Sequence, residues 1–158
     1  MVQYGILVIS HGSRDAAWVR YVEEAVRAMD VPPGLPVECA FLEIVEGRLI
    51  QDGIDRLEAR GVTDIIVIPL FISSGSTHID EIRYALGVTK APTLATDLRP
   101  FRRAARIHWR GPLDDAPETA RMVYDALDGL RDDPERKLLL LVGHGSRAPG
   151  FHRRWRDG

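Results

Sequence analysis

Cysteine is almost missing: Cys39 is the only one in 158 residues. One thiol excludes an internal disulfide, and it excludes a zinc or iron–sulfur cage built on several cysteines. Long apolar runs are missing too. None approaches the ~18–20 residues that carry a helix across a bilayer. The opening MVQYGILVIS has no basic leader and no small-residue cleavage site, so it is expected to be a first strand rather than a signal peptide. Charge of one sign is also lacking. Against 21 Lys and Arg stand 23 Asp and Glu, a formal net charge of −2, which gives no general reason for a nucleic-acid or membrane partner. The expectation is a cytoplasmic protein.

What is present suits one α/β domain. The chain is 45% apolar and 28% charged, ordinary values for a globular core with a polar surface. Five apolar runs are strand candidates: GILVIS from Gly5, VECAFL from Val37, DIIVIPLF from Asp64, RIHW from Arg106 and KLLLLVG from Lys137. Most are nearly continuous, as for parallel strands covered on both faces. Helical periodicity fills the intervals. Trp18, Val22, Ala25, Val26 and Met29 share one face. Ile50, Ile54 and Leu57 share another and precede Gly61; Ile79, Ile82 and Leu86 precede Gly87. A fourth helix aligns Met122, Val123, Ala126, Leu127 and Leu130, with Asp115 and Glu118 as an expected capping box. Residues 89–106 are expected to be a long connection. This alternation predicts a three-layer, open parallel α/β sheet with right-handed crossovers.

In such a sheet ligands bind outside the carboxyl ends of the strands. His11, Gly12, Ser13 and Arg14 follow the first strand, Glu43 the second, SSGSTHIDE with His78 the third, and His144 the fifth. Two imidazoles and a carboxylate, His11, His78 and Glu43, therefore meet on one rim. They suit a divalent transition metal with open coordination positions. They also suit proton transfer near neutral pH. Each has a plainer reading. Glu43 can be a solvated strand end, Arg14 a partner for a carbonyl or carboxylate, and Ser73, Ser74, Ser76 and Thr77 turn or N-cap residues. Gly12 and Gly75 can serve tight turns. Cys39 and Trp18 are expected in the core. His108 lies within a strand and His152 in a basic tail. Arg99, Arg102, Arg103, Arg106 and Arg110 are expected on a solvated surface, with a clamp for an acidic ligand as the alternative.

LVISHGSRD after the first strand, AFLE ending the second and VIPLFISSGSTHIDEI after the third resemble the small class II chelatases of the CbiX and SirB type. The likeness is good from Gly5 to Leu86 and looser beyond. It implies a chelatase-like (flavodoxin-like) fold and insertion of Co²⁺ or Fe²⁺ into sirohydrochlorin, an acidic tetrapyrrole, for cobalamin or siroheme synthesis. His11, His78 and Glu43 then correspond to the metal-handling and catalytic set, and Ser13, Arg14, Ser74, Gly75 and Ser76 to substrate contacts. No cofactor is implied beyond the substrate metal ion, and no nucleic-acid or membrane partner. The family's active unit is two similar halves, made by a homodimer or by fusion. LVGHGSRAPGF from Leu141 repeats the first loop. The expected division is therefore a chelatase-like half over 1–133, followed over 134–158 by a fifth strand or the truncated opening of a second half. In that arrangement His144 is expected to matter less than His11 and His78.

Two other functions remain. A metal or tetrapyrrole carrier would use the same ligands without turnover. A histidine-phosphatase-like site places Arg before His-Gly, whereas here Ser10 precedes His11 and the arginine follows it.

Overall fold

The computed structural model describes residues 1–157 apart from 115, 128–135, 139, 141 and 144, and apart from the side chain of Pro149. The elements run β1 (Tyr4–Ser10), α1 (Ala16–Arg27), β2 (Val37–Phe41), α2 (Ile50–Ala59), β3 (Asp64–Pro69), α3 (Thr77–Ala85), β4 (Arg106–Trp109), α4 (Pro117–Ala126) and α5 (Pro149–Asp157). The four strands form a parallel sheet in the order β2-β1-β3-β4. This is the open α/β architecture expected.

The order places the rim chemistry. From β1 the chain steps outward to β2, then crosses back to lay β3 on the other side of β1. The crevice between the carboxyl ends of β1 and β3 is thus a topological switch point, where the following loops part in opposite directions and leave room for a ligand.

Alternation along the strands builds two layers of core. Leu7, Ile9, Ala40, Ile65 and Val67 face α2 and α3, meeting Ile54, Leu57, Ile82 and Leu86. Phe41 and Leu70 face α1, meeting Val19 and Val22. Burying a Leu, Ile or Val side chain contributes roughly 1.5–3 kcal/mol, so these two layers fix the sheet that carries the rim. Gly61 and Gly87 follow α2 and α3 with φ of 82° and 72°, the left-handed backbone that ends a helix.

Several expectations change. In α1, Val19 is buried and Ala25 is exposed; the helix is turned so that Trp18 reaches toward the rim while Val19 meets the sheet. Cys39 is half-buried, because β2 is an edge strand. Helix α4 has no buried residue, and Met122, Val123 and Tyr124 are exposed. Edge strand β4 before it is four residues long, and among the described residues no strand lies beyond it for α4 to cover. Asp115 lies outside the described residues. The N-cap is Ala116 without a side-chain bond, and Pro117 starts the helix instead of a capping box. Of KLLLLVG, Leu139 and Leu141 lie outside the described residues, and Lys137, Leu138, Leu140, Val142 and Gly143 pair with no strand of the sheet.

Among the described residues no helix is long and apolar enough to cross a membrane.

Candidate functional site

His11 is the first residue beyond β1. The backbone there is pinched: Leu42 N–H donates to Ser10 O (2.9 Å) and Glu43 N–H to His11 O (3.2 Å), so the pairing of β1 with β2 continues past the strand ends. Gly12 makes this possible. Its φ is 108°, and a Cβ there would stand 2.1 Å from Glu43 O. Glu43 then emerges at a sharp bend. Val45 N–H donates to Glu43 O (2.8 Å) around Ile44, whose φ is 73°. A β-branched residue in that region is strained, and the strain sits beside the carboxylate it presents.

His78 enters from the other side of the switch point, in the first turn of α3. The two imidazoles meet edge to face, centroids 4.7 Å apart and planes at 75°, with Nε2 of His11 3.2 Å from Nε2 of His78. Their other nitrogens determine what they offer each other. His11 Nδ1 lies 3.1 Å from Gly12 O, and a carbonyl only accepts, so that nitrogen holds the proton. His78 Nδ1 lies 2.6 Å from Glu81 Oε1, and a carboxylate likewise only accepts. These tautomers follow from the partners. In the neutral pair both Nε2 lone pairs face one gap, which asks for a single cation, a proton or a metal ion. With metal–nitrogen bonds of roughly 2.0–2.1 Å and near-tetrahedral angles, two nitrogens on one ion stand about 3.3 Å apart. The observed gap has that size.

Glu43 Oε1 is 3.6 Å from His11 Nε2, beyond hydrogen-bond length but close enough for an ion pair. Among the described residues no three His, Cys, Asp or Glu side chains form a ready-made metal cluster. Glu43 stands next to His11 rather than completing a triad.

The histidines open into a cavity of about 520 Å³. Trp18, Phe71 and Trp155 give it aromatic walls; Ser73, Ser76 and Thr77 give it polar ones. Trp18 thus serves the rim as well as the core. A groove of about 580 Å³ beside edge strand β2 is slightly larger, but it holds no histidine. Its thiol, Cys39, is pushed up to about 11 by burial first and by neighbouring Glu38 second, so the histidine-lined cavity is the candidate site.

Of the other expected site residues, Gly75 and Ser76 line the cavity. Ser76 is the N-cap of α3 with no side-chain bond. Ser74 does not line it; its N–H donates to Asp114 Oδ1 (2.6 Å). Ser13 and Arg14 line a separate groove between α1 and residues 44–48. Ser13 Oγ accepts from Asp15 N (3.0 Å), a turn bond that sets up α1. The arginine-rich stretch does not converge on the cavity either. Arg103 binds Leu86 O (3.0 Å) and Ala105 O (3.1 Å), Arg102 is exposed beside Asp55, and Arg106 begins β4, at the opposite end of the sheet. Glu81 and Phe71 join the site although the sequence pattern did not single them out. Glu81's spacing of three from His78 was the available signal.

The described residues of the second copy of the loop share features with the first. Gly12 and Gly145 both have positive φ (108° and 63°). Ser146 Oγ accepts from Ala148 N (3.4 Å) as Ser13 does from Asp15 N. Both helices start at the fifth residue after the histidine, at Ala16 and Pro149. His144 itself lies outside the described residues. The copy packs against the first site: a Cβ on Gly75 would lie 2.5 Å from Phe151 O, and Gly145, Ser146 and Trp155 border the cavity.

Residues 5–130 match the model of the family described as CbiX. Among curated relatives, a sirohydrochlorin cobaltochelatase of Saccharolobus islandicus is 30% identical over 88 residues, which is 53% of this chain and 64% of that protein. One of Sulfolobus acidocaldarius is 33% identical over 75 residues, 45% of this chain and 56% of that protein. The matched region thus spans under two thirds of each relative. A crystal structure described as a cobalamin (vitamin B12) biosynthesis CbiX protein from Marinobacter aquaeolei VT8 shares the fold, with a TM-score of 0.60 at 20% identity over 85% of this chain and 99% of that one.

Proposed function

The chain belongs to the CbiX family, and on that premise we propose that it is a chelatase that places a divalent metal ion, Co²⁺ or Fe²⁺, in a sirohydrochlorin-like acidic tetrapyrrole. The observation that carries this reading is the facing pair of Nε2 lone pairs, 3.2 Å apart at the switch point. The names of the relatives favour cobalt as the ion tried first.

The reaction exchanges one M²⁺ for two protons and changes no oxidation state, so it needs no resident cofactor. The imidazole pair receives the ion in the gap between its lone pairs. As two pyrrole nitrogens take over the ion, the same lone pairs become free to accept the protons those nitrogens release. Glu43, 3.6 Å from His11 Nε2, is the nearest acceptor to pass a proton to solvent. The aromatic walls suit a flat conjugated ring. Ser13, Arg14 and Ser74 lie outside the cavity, so contacts from them fall to peripheral carboxylates, while Gly75 and Ser76 adjoin the ring itself.

The repeated geometry at Gly145 and Ser146 supports reading residues 134–158 as the opening of a second α/β half that faces the first. A homodimer would present an equivalent surface. Cytoplasmic residence belongs to the same proposal.

Anaerobic absorbance assays of sirohydrochlorin with Co²⁺ and with Fe²⁺ test the reading. Acceleration by the purified full-length protein is expected, abolished by His78→Ala. Absence of acceleration with either ion would defeat it, and tight binding of metal or tetrapyrrole without turnover would identify a carrier.

A further inference from the structure

Helix α3 carries two consecutive carboxylates, Asp80 and Glu81, and both grip the long connection that follows. Asp80 accepts from Thr93 N (2.6 Å), Thr93 Oγ1 (2.7 Å) and Leu94 N (3.4 Å). Glu81 divides its oxygens. Oε1 takes His78 Nδ1 (2.6 Å), and Oε2 takes Thr96 Oγ1 (2.6 Å). The hydroxyl of Thr96 has one proton to give, and its oxygen is already engaged by Leu98 N–H (3.0 Å), so that proton is aimed at Glu81. Glu81 is therefore held from one side by the connection and holds the histidine on the other.

We propose that Glu81, braced by Thr96, is the positioning residue of the site: it fixes His78 in the Nδ1–H tautomer and points its Nε2 lone pair at His11. The proposal rests on the metal-handling reading of the histidine pair. The two imidazoles are secured by different means. His11 leans on a backbone carbonyl, Gly12 O, which no side-chain substitution removes. His78 depends on a side chain, so it can be released alone. Such outer partners of metal-binding histidines set ring orientation, and their loss typically lowers metal affinity roughly 10–100-fold. The long connection thereby acquires a function of its own, since Thr96 braces the site from outside it.

Asp80 provides the internal control, since it grips the same connection without touching His78. The experiment uses the full chain at about pH 8, where an ordinary imidazole is neutral. Imidazole ¹⁵N shifts report which nitrogen of His78 is protonated, and titration with Co²⁺ alone reports affinity. Glu81→Leu is expected to lose the Nδ1–H tautomer and roughly 10–100-fold in Co²⁺ affinity. Glu81→Gln, whose amide oxygen still accepts from Nδ1, is expected to keep the tautomer and most of the affinity. Thr96→Val should fall between them, and it carries the test if Glu81→Leu does not fold. Asp80→Ala should change neither readout. An unchanged tautomer and affinity in Glu81→Leu, or in Thr96→Val where that variant carries the test, would overturn the proposal. So would an equal loss in Asp80→Ala. Neither readout requires turnover, so a negative chelation assay with these responses intact would remove the catalytic reading and leave the positioning role standing.

Discussion

Replacing Gly12 by alanine tests how the rim is assembled. The substitution adds one methyl group at a backbone position with φ of 108°. Holding a residue with a side chain there costs about 1–3 kcal/mol. The methyl would also stand 2.1 Å from Glu43 O, where real contacts do not fall below 3.0 Å, so the two loops must part by about 0.9 Å. That stretches the Glu43 N–H to His11 O bond, already 3.2 Å long, and such a bond contributes about 1 kcal/mol net. Together these amount to roughly 2–4 kcal/mol. With a urea dependence of about 2 kcal/mol per molar, the middle of the usual range, the unfolding midpoint should drop by about 1–2 M. The same displacement exceeds the ~0.5 Å within which a working site is held, and a misplacement of about 1 Å can cost 10²-fold in rate. Urea melts followed by circular dichroism, with metal-insertion rates on the folded fraction, measure both effects. A Gly12→Ala protein with the parent midpoint and the parent rate would refute the argument that this glycine seats Glu43 against His11.

Further outcomes are expected. His11→Ala and His78→Ala should each abolish metal insertion with an unchanged circular dichroism spectrum, since both side chains stand on the rim outside the two core layers; His144→Ala should keep most of the activity, and equal loss in all three would show that the second loop completes the site. The Asp64 carboxyl is held below the ordinary carboxylate range, first by its hydrogen bond from His108 and then by Thr63, so its stabilisation is present above about pH 4 and lost as the pH falls through the lowered value. Asp64→Asn should therefore be less stable than the parent at neutral pH, and the gap should close in acid; a gap independent of pH in thermal melts would contradict this. Cys39, at about 11, is a thiol at neutral pH. At about pH 8 it should alkylate roughly a hundredfold more slowly in the folded chain than in urea, because only the thiolate reacts; equal rates measured by mass spectrometry would count against its burial.

Local pattern alone reached far into this protein. The near-continuous apolar runs at Gly5 and Asp64 mark the two inner strands, covered on both faces, and the run at Val37 marks the edge strand beside them. His11, Glu43 and His78 come just past those runs, and that position is enough to put them on one rim. The repeated His-Gly-Ser-Arg was equally plain, because a positive-φ glycine and a serine turn are encoded within a few adjacent residues. What depends on distant residues did not show. Glu81 looks like any polar position on a helix until His78 on one side and Thr96, fifteen residues on, close around it. Arg14 lies three residues from His11, yet in the turn before α1 it lines a different groove. The apolar stripe of α4 has the right period for burial, yet among the described residues none of the helix is buried. Periodicity states which face a segment would hide; the strand order β2-β1-β3-β4 states what lies opposite that face, and it alone turned two imidazoles 67 residues apart into a pair sharing one gap.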